Sequence, residues 1–319
     1  MSISSVIIAT GSYLPARKVT NDDLAQTVET NDAWIRERTG IITRHIAAEG
    51  EFTSHLAINA AKAALQNANL TAADIDGIVV GTSTPDTTMP SVATKVQAAL
   101  GNKGAALDVG AACTGFVSAL SVAHGWIQTG VARRVIVIGA ESMSKIVDWN
   151  DRSTCILFGD GAGAVILEAQ ENTDRGIKSM VLDAAGEFGE LLCTDGGTSS
   201  TKTAGFLHMQ GQEVFRHGVE KMGAATHQAL EKAKLTLADV DFVVAHQANA
   251  RMIRMIARKM GVAEEKFVIT VDRHANTSAA SIPLALDQAV KENKLGKGNI
   301  IAMPALGAGL TWGCCVVSW

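Results

Sequence analysis

The sequence predicts an α/β fold built from two related halves, and three observations carry that prediction. Segments with helical apolar spacing alternate with short, continuous apolar runs, the pattern of strands covered by helices. A stretch near residue 71 recurs near residue 236. The chain has 319 residues, 47% of them hydrophobic and 19% charged, so it can bury a large core, and its length suggests about two units.

In order along the chain, the stretch from Met1 to Pro15 lacks both a basic segment and a long apolar core, so it reads as a first strand and not a signal peptide. Residues 53–69 carry an Ala/Leu helical face, and Leu70 to Val80 turns into a buried strand. The run from Ala105 to Val109 is extended and apolar. It passes through Gly110, Ala111 and Ala112 into Cys113, after which helical spacing continues to about Trp126, giving strand, tight turn and buried helix. Much later, Leu230 to Val244 repeats the helix-to-strand passage. Setting Thr71 on Thr236 also superimposes Ala64 on Ala229, Leu65 on Leu230, Asp74 on Asp239 and Asp76 on Asp241, which suggests two copies of one βα unit. Each half closes alike, with glycines at Gly159 to Gly163 and at Gly309 that read as turns feeding a last strand. No Gly-Lys-Ser/Thr follows the first set, so a nucleotide loop is not indicated. Polar residues between Gln170 and Gly176 interrupt the apolar pattern, and the halves are expected to span 1–172 and 173–319.

Several classes are excluded. A net charge of −4 is not the basic balance of a nucleic-acid protein. No apolar stretch reaches the ~18 residues of a membrane span. The five cysteines (Cys113, Cys155, Cys193, Cys314, Cys315) are odd in number and lack Cys-x-x-Cys spacing, so neither a disulfide framework nor a zinc site is indicated, and a reducing cytoplasm fits.

The chemistry centres on Cys113. A cysteine at the head of a helix meets the positive end of the dipole, which favours the thiolate, and the free N–H groups of the first turn can face an oxyanion. The same residue among alanines also reads as a small core residue. Candidate partners lie in the second half. His246 follows the strand Phe242 to Ala245 and matches by duplication the loop after Gly81, at the strand ends where α/β sheets bind ligands. His274 and Asn276 occupy a polar turn before another helix, and each histidine alone reads equally as a structural residue.

Five motifs in one order carry a family resemblance: Ala111 to Phe116 around Cys113, Phe158 to Ala164, His246 to Asn249, Arg273 to Ser281, and Gly307 to Gly313. From first strand to last, the chain resembles β-ketoacyl-[acyl-carrier-protein] synthase III of bacterial fatty acid synthesis. The resemblance implies a thiolase-type five-layer αβαβα fold and a homodimer. It also implies a Cys113, His246 and Asn276 triad, with an oxyanion hole made by the backbone N–H groups of Cys113 and Ala308, where relatives usually have glycine. The implied substrates are a short acyl-CoA, acetyl-CoA first, and malonyl-[acyl-carrier protein], with no cofactor and no metal. Carried over residue by residue, it assigns CoA contacts to Thr30, Trp34, Arg38 and Arg152, with Gln212 in the pantetheine channel and Asn249 in the CoA site's active-site hydrogen bonds. Met89 stands where a phenylalanine closes the acyl pocket across the dimer, and Leu306 replaces an aromatic residue near the triad; both bear on primer size.

Arg251, Arg254 and Arg258 step by three and four, forming a cationic stripe opposite Ile253, Ile256 and Met260. Such a stripe usually is a solvated face, but beside the catalytic loop and with an acidic carrier as implied partner, it reads as a docking surface. The rival readings are a synthase III relative of secondary metabolism using longer primers, a degradative thiolase, and a non-catalytic module. The thiolase needs a second catalytic cysteine, whereas Cys314 and Cys315 read as core.

Overall fold

The computed structural model describes residues 3–319; Met1 and Ser2 of the expected first strand lie outside the described residues. The strands are β1 (Ile3–Tyr13), β2 (Arg17–Thr20), β3 (Thr43–Ile46), β4 (Gly77–Gly81), β5 (Ala105–Val109), β6 (Arg134–Ser142), β7 (Asp160–Glu171), β8 (Gly176–Ala184), β9 (Leu192–Thr194), β10 (Leu207–Met209), β11 (Phe242–Val243), β12 (Ile300–Gly307) and β13 (Thr311–Ser318). The α-helices are α1 (Asn21–Leu24), α2 (Asp32–Thr39), α3 (Thr53–Ala68), α4 (Val92–Leu100), α5 (Gly115–Gln128), α6 (Arg152–Cys155), α7 (Gly211–Lys232), α8 (Ala250–Met260), α9 (Val271–His274) and α10 (Ser281–Lys291).

Two sheets organise these elements. The first has the order β1-β7-β6-β4-β5, with β4 parallel to β5 and β6, and β7 antiparallel to β6 and β1. The second has the order β11-β12-β13-β8. The first sheet ends at Glu171 and the second begins at Gly176, within the polar interruption.

Period-2 alternation sorts the apolar side chains into layers. Ile78 and Val80 of β4, with Ile136 and Ile138 of β6, pack under Leu56, Ala57, Ala60 and Ala64 of α3 on one face. Val79 and Val137 point the other way, onto Phe116 and Leu120 of α5 and Ile282 and Leu286 of α10. The same central helices meet Met303, Ala305, Cys315 and Val317 of the second sheet. Val243, Ala302, Cys314 and Val316 face Met222 and Ala225 of α7 and Ile253 and Ile256 of α8. The result is the five-layer αβαβα arrangement, in which the central layer joins both halves in one core. Cys314 and Cys315 are core residues on its two faces, as expected.

The duplication has a shared hydrogen-bond signature. Thr71 and Asp74 cap a 3₁₀ turn reciprocally, and Thr236 and Asp239 do the same. Asp76 then donates its N–H to Arg134 and accepts the Arg134 N–H on its carboxylate; Asp241 makes the same pair of bonds with Ile300. One expectation is corrected: Gly161 and Gly163 lie inside β7, not in a turn. A Cβ on Gly163 would stand 2.6 Å from the Leu284 nitrogen, so the glycine admits the first turns of α10 against the sheet. Gly309, with φ +135°, does form a turn.

Candidate active site

Cys113 sits in a 3₁₀ turn, Ala112–Thr114, between the end of β5 and the start of α5. The turn is tightly determined. Ala112 holds φ +45°, a conformation that costs a non-glycine residue energy and persists only where its surroundings impose it. Thr114 Oγ1 donates to the Thr311 carbonyl at 3.1 Å, which ties the turn to β13. The end of β12 backs directly onto it, since a Cβ on Gly307 would lie 2.6 Å from the Cys113 nitrogen. Ala308, the next residue, lines the same cavity, and its φ is not in the positive range, so alanine can stand there without strain.

His246 follows β11, its N–H donating to the Pro304 carbonyl of β12, and is only 3% exposed. Its Nδ1 lies 2.7 Å from Ser281 Oγ at the start of α10. The buried Gln247 holds the neighbouring loops together: its Oε1 accepts the N–H groups of Thr270 and Val271, while its Nε2 donates to the carbonyls of Ala245 and Val268. Asn276 is pinned through its backbone to Leu157 and Gly159. Its Oδ1 accepts the Ser278 N–H at 2.9 Å, which leaves the amide Nδ2 to face outward from that contact. Ala275 and Ser278 on either side also hold positive φ.

These three side chains wall one cavity of about 290 Å³, together with Ser83, Ser278, Ala308 and an apolar channel that includes Ile146, Leu207, Met209 and Phe215. Few polar groups converge in an otherwise apolar pocket, as small-ligand sites require. His274, the other histidine candidate, is the buried last residue of α9 and does not line the cavity.

Burial dominates the protonation of the site. It pushes the Cys113 thiol up to about 12, against the pull of the Ser278 hydroxyl and with a further rise from Glu141. Burial thus opposes the thiolate that a helix head favours, and the cysteine precedes the first residue of α5 by two positions. Burial pushes the His246 imidazole down to about 4, so it is neutral at pH 7. The site therefore presents a neutral thiol, a neutral imidazole and a neutral carboxamide around a largely apolar pocket, a set suited to meet an anion that develops only during reaction.

Comparisons with known proteins identify the family. Residues 107–186 match the family model described as 3-oxoacyl-[acyl-carrier-protein (ACP)] synthase III, and residues 230–319 match its C-terminal model. The chain is 55% identical to the β-ketoacyl-[acyl-carrier-protein] synthase III of Rhodobacter capsulatus and 53% identical to that of Dinoroseobacter shibae, each alignment covering all of both chains. The chain belongs to the β-ketoacyl-[acyl-carrier-protein] synthase III family. The crystal structure of 3-oxoacyl-[acyl-carrier-protein] synthase III from Aquifex aeolicus matches with a TM-score of 0.94 at 44% identity, over 99% of this chain and all of that one.

Within this synthase III fold the remaining expected residues divide into groups. Leu306 lines the cavity at 4% exposure, whereas Met89 is 79% exposed and outside it. Trp34 and Arg38 lie on α2; the Arg152 guanidinium stacks over the Trp34 ring at 4.9 Å and that of Arg38 at 5.6 Å. Thr30, with its buried hydroxyl unpartnered in this structure, precedes the Asn31 cap of α2. Asn249 lines the cavity while its Oδ1 caps α8 through the Met252 N–H. Gln212 is exposed on the first turn of α7, and its neighbour Gly211 is the residue that reaches the cavity. Arg251, Arg254 and Arg258 are all exposed on α8, with Arg254 3.6 Å from Glu264.

Sequence reasoning missed Glu141, Ser278 and Ser281 as parts of the site. Glu141 is the next-to-last residue of the apolar strand β6 and is fully buried. Its one legible signal was a carboxylate closing a run of valine and isoleucine.

Proposed function

We infer that this chain is an acyltransferase that initiates fatty acid synthesis. It condenses a short acyl-CoA with malonyl-[acyl-carrier protein] to give 3-ketoacyl-[acyl-carrier protein], CO₂ and CoA. The observation that carries this reading is the convergence of Cys113, His246 and Asn276 on one apolar cavity in a chain of this family. Cys113 sulfur attacks the acyl-CoA thioester, and the backbone N–H groups of Cys113 and Ala308 receive the oxyanion. Malonyl-[acyl-carrier protein] then loses CO₂. The enolate oxygen is met by His246 Nε2 and Asn276 Nδ2, uncharged donors that do not trap the product, and the enolate carbon attacks the acyl-cysteine.

The same reading takes Trp34 as the platform for the CoA adenine. Two stacking distances of about 3.5 Å need a gap of about 7 Å, so Arg152, now 4.9 Å from the ring, must swing out to admit the base. Acetyl-CoA is the proposed primer. The rival, a secondary-metabolism synthase with longer primers, rests on the flexible Met89. Intact-mass spectrometry of the protein offered a mixture of acyl-CoA thioesters is expected to show one acetyl group on Cys113, and condensation is expected to need the carrier. Absence of any acyl adduct sinks the reading; preference for a long chain favours the rival.

A homodimer belongs to this proposal. Among the described residues the edge strand β5 pairs only with β4, and Leu107 on it is 37% exposed, unusual for a parallel strand. An exposed Met89 outside its own cavity suits a residue that reaches a partner's acyl pocket. A cytoplasmic setting is supported by the five free cysteines. Arg251, on the first turn of α8 between the cavity-lining Asn249 and Met252, is the proposed centre of carrier docking. Arg251→Glu is expected to raise KM for malonyl-[acyl-carrier protein] by about tenfold and to leave KM for acyl-CoA unchanged in steady-state kinetics.

A further inference from the structure

The reaction as drawn leaves one proton without an acceptor. Cys113 must lose its proton to attack, yet it rests as a thiol. The donor role proposed for His246 Nε2 requires its one imidazole proton there, with Nδ1 accepting from Ser281 Oγ at 2.7 Å, and in that tautomer Nε2 cannot also take the thiol proton. That tautomer serves the enolate as a donor. A second proton would create a buried imidazolium.

Behind the sulfur stands another route. Ser278 lines the same cavity as Cys113, close enough for its hydroxyl to pull the thiol's titration down. The same hydroxyl donates to Glu141 Oε1 at 3.1 Å. Glu141 is 0% exposed and held by donors: Thr84 Oγ1 donates to it at 2.5 Å and the Ser83 N–H at 3.1 Å, and the Ala279 N–H faces it. The groups facing Glu141 are thus the hydroxyls of Thr82, Thr84 and Ser278, the N–H groups of Ser83 and Ala279, and the Cys113 thiol across Ser278.

We propose that Glu141, acting through the Ser278 hydroxyl, takes the Cys113 proton during acyl transfer and stores it until condensation releases the cysteine as an anion. The inference rests on the acyl-transfer reading above. In the first half-reaction the S–H bond breaks as the S–C bond forms, the proton passes to Ser278 Oγ, and the Ser278 proton passes to Glu141. CoA leaves as its thiolate and is protonated by solvent. In the second half-reaction the negative charge of the malonyl carboxylate passes through CO₂ loss to the enolate, and then, as the tetrahedral intermediate collapses, to the Cys113 sulfur. The stored proton returns by the same path and the site is reset. Burial raises the Glu141 carboxyl to about 7, which lets it change protonation state near neutral pH.

The test is the pH profile of Cys113 alkylation by iodoacetamide, read at the Cys113 peptide by mass spectrometry. Sharing one proton with Glu141 makes the wild-type rate rise with pH and then level off above Glu141 titration. Glu141→Gln keeps the shape of the side chain but cannot exchange the proton, and its rate is expected to climb about tenfold per pH unit without a plateau. Single-turnover acylation by acetyl-CoA at pH 7 is expected to fall about 10²-fold or more. Ser278→Gly, compatible with φ +49°, breaks the relay from the other end and is expected to give the same profile, which keeps the test open if Glu141→Gln does not fold. A plateau retained in either relay variant that folds overturns the proposal. A wild-type enzyme that no acyl-CoA acylates overturns the acyl-transfer reading instead, since the alkylation profile needs no substrate.

Discussion

Asn276→Ala is expected to lower decarboxylation of malonyl-[acyl-carrier protein] by about 10²–10³-fold, the usual loss for one oxyanion donor, while acyl transfer to Cys113 changes little. The physical reason is the division of donors. In the proposed mechanism the oxyanion of acyl transfer is met by backbone N–H groups at Cys113 and Ala308, which the substitution does not touch. The enolate oxygen is there met by His246 and by the Asn276 amide, whose orientation follows from the Ser278 N–H held on its Oδ1 at 2.9 Å. Alanine removes the donor and leaves that N–H without its acceptor, so some loosening of the Thr277–Ser278 turn is expected too. Release of CO₂ from the carrier substrate on pre-acylated enzyme, set against intact-mass acylation rates, separates the two half-reactions. Equal losses in both count against this assignment.

Gly307→Ala is expected to destabilise the fold by about 1–3 kcal/mol and to slow Cys113 acylation by about 10²-fold. A methyl group there would stand 2.6 Å from the Cys113 nitrogen, 3.1 Å from the Thr114 nitrogen and 3.2 Å from the Ala112 Cβ. Two of these are backbone atoms of the nucleophile turn, and the turn already carries φ +45° at Ala112, so it has no relaxed alternative nearby. The displaced N–H is the one assigned to the oxyanion. Gly110→Ala is the control: no atom lies within 4 Å of its added Cβ, and its melting temperature and acylation rate should match wild type. Thermal unfolding and single-turnover acylation of both variants check the expectation. An unaltered Gly307→Ala enzyme rejects it.

Much of the fold was legible because local rules and tertiary packing agree. The strand of β4 alternates Ile78, Val79 and Val80 between two helix layers, and each face needs an apolar residue, so a continuous apolar run was the right signal. The repeat at Thr71 and Thr236 was visible because a reciprocal cap and an aspartate bonding the neighbouring strand demand the same residue types in both halves. The glycines of β7 were misread as turn formers because spacing does not distinguish a glycine that bends the chain from one that admits a helix. Glu141 was passed over for a similar reason. A carboxylate at a strand end looks like a solvated terminus until the loops after β4 and before α10 close over it.

The sequence by itself determined which residue types stand at which strand ends and helix heads, since periodicity, caps and motif order depend on neighbours along the chain. Only the tertiary structure decided their charge. Desolvation is the sum over everything packed around a group, drawn here from β4, β6, β12 and α10. It pushes the Cys113 thiol and the Glu141 carboxyl up and the His246 imidazole down, because each loses the water that would stabilise its charged form.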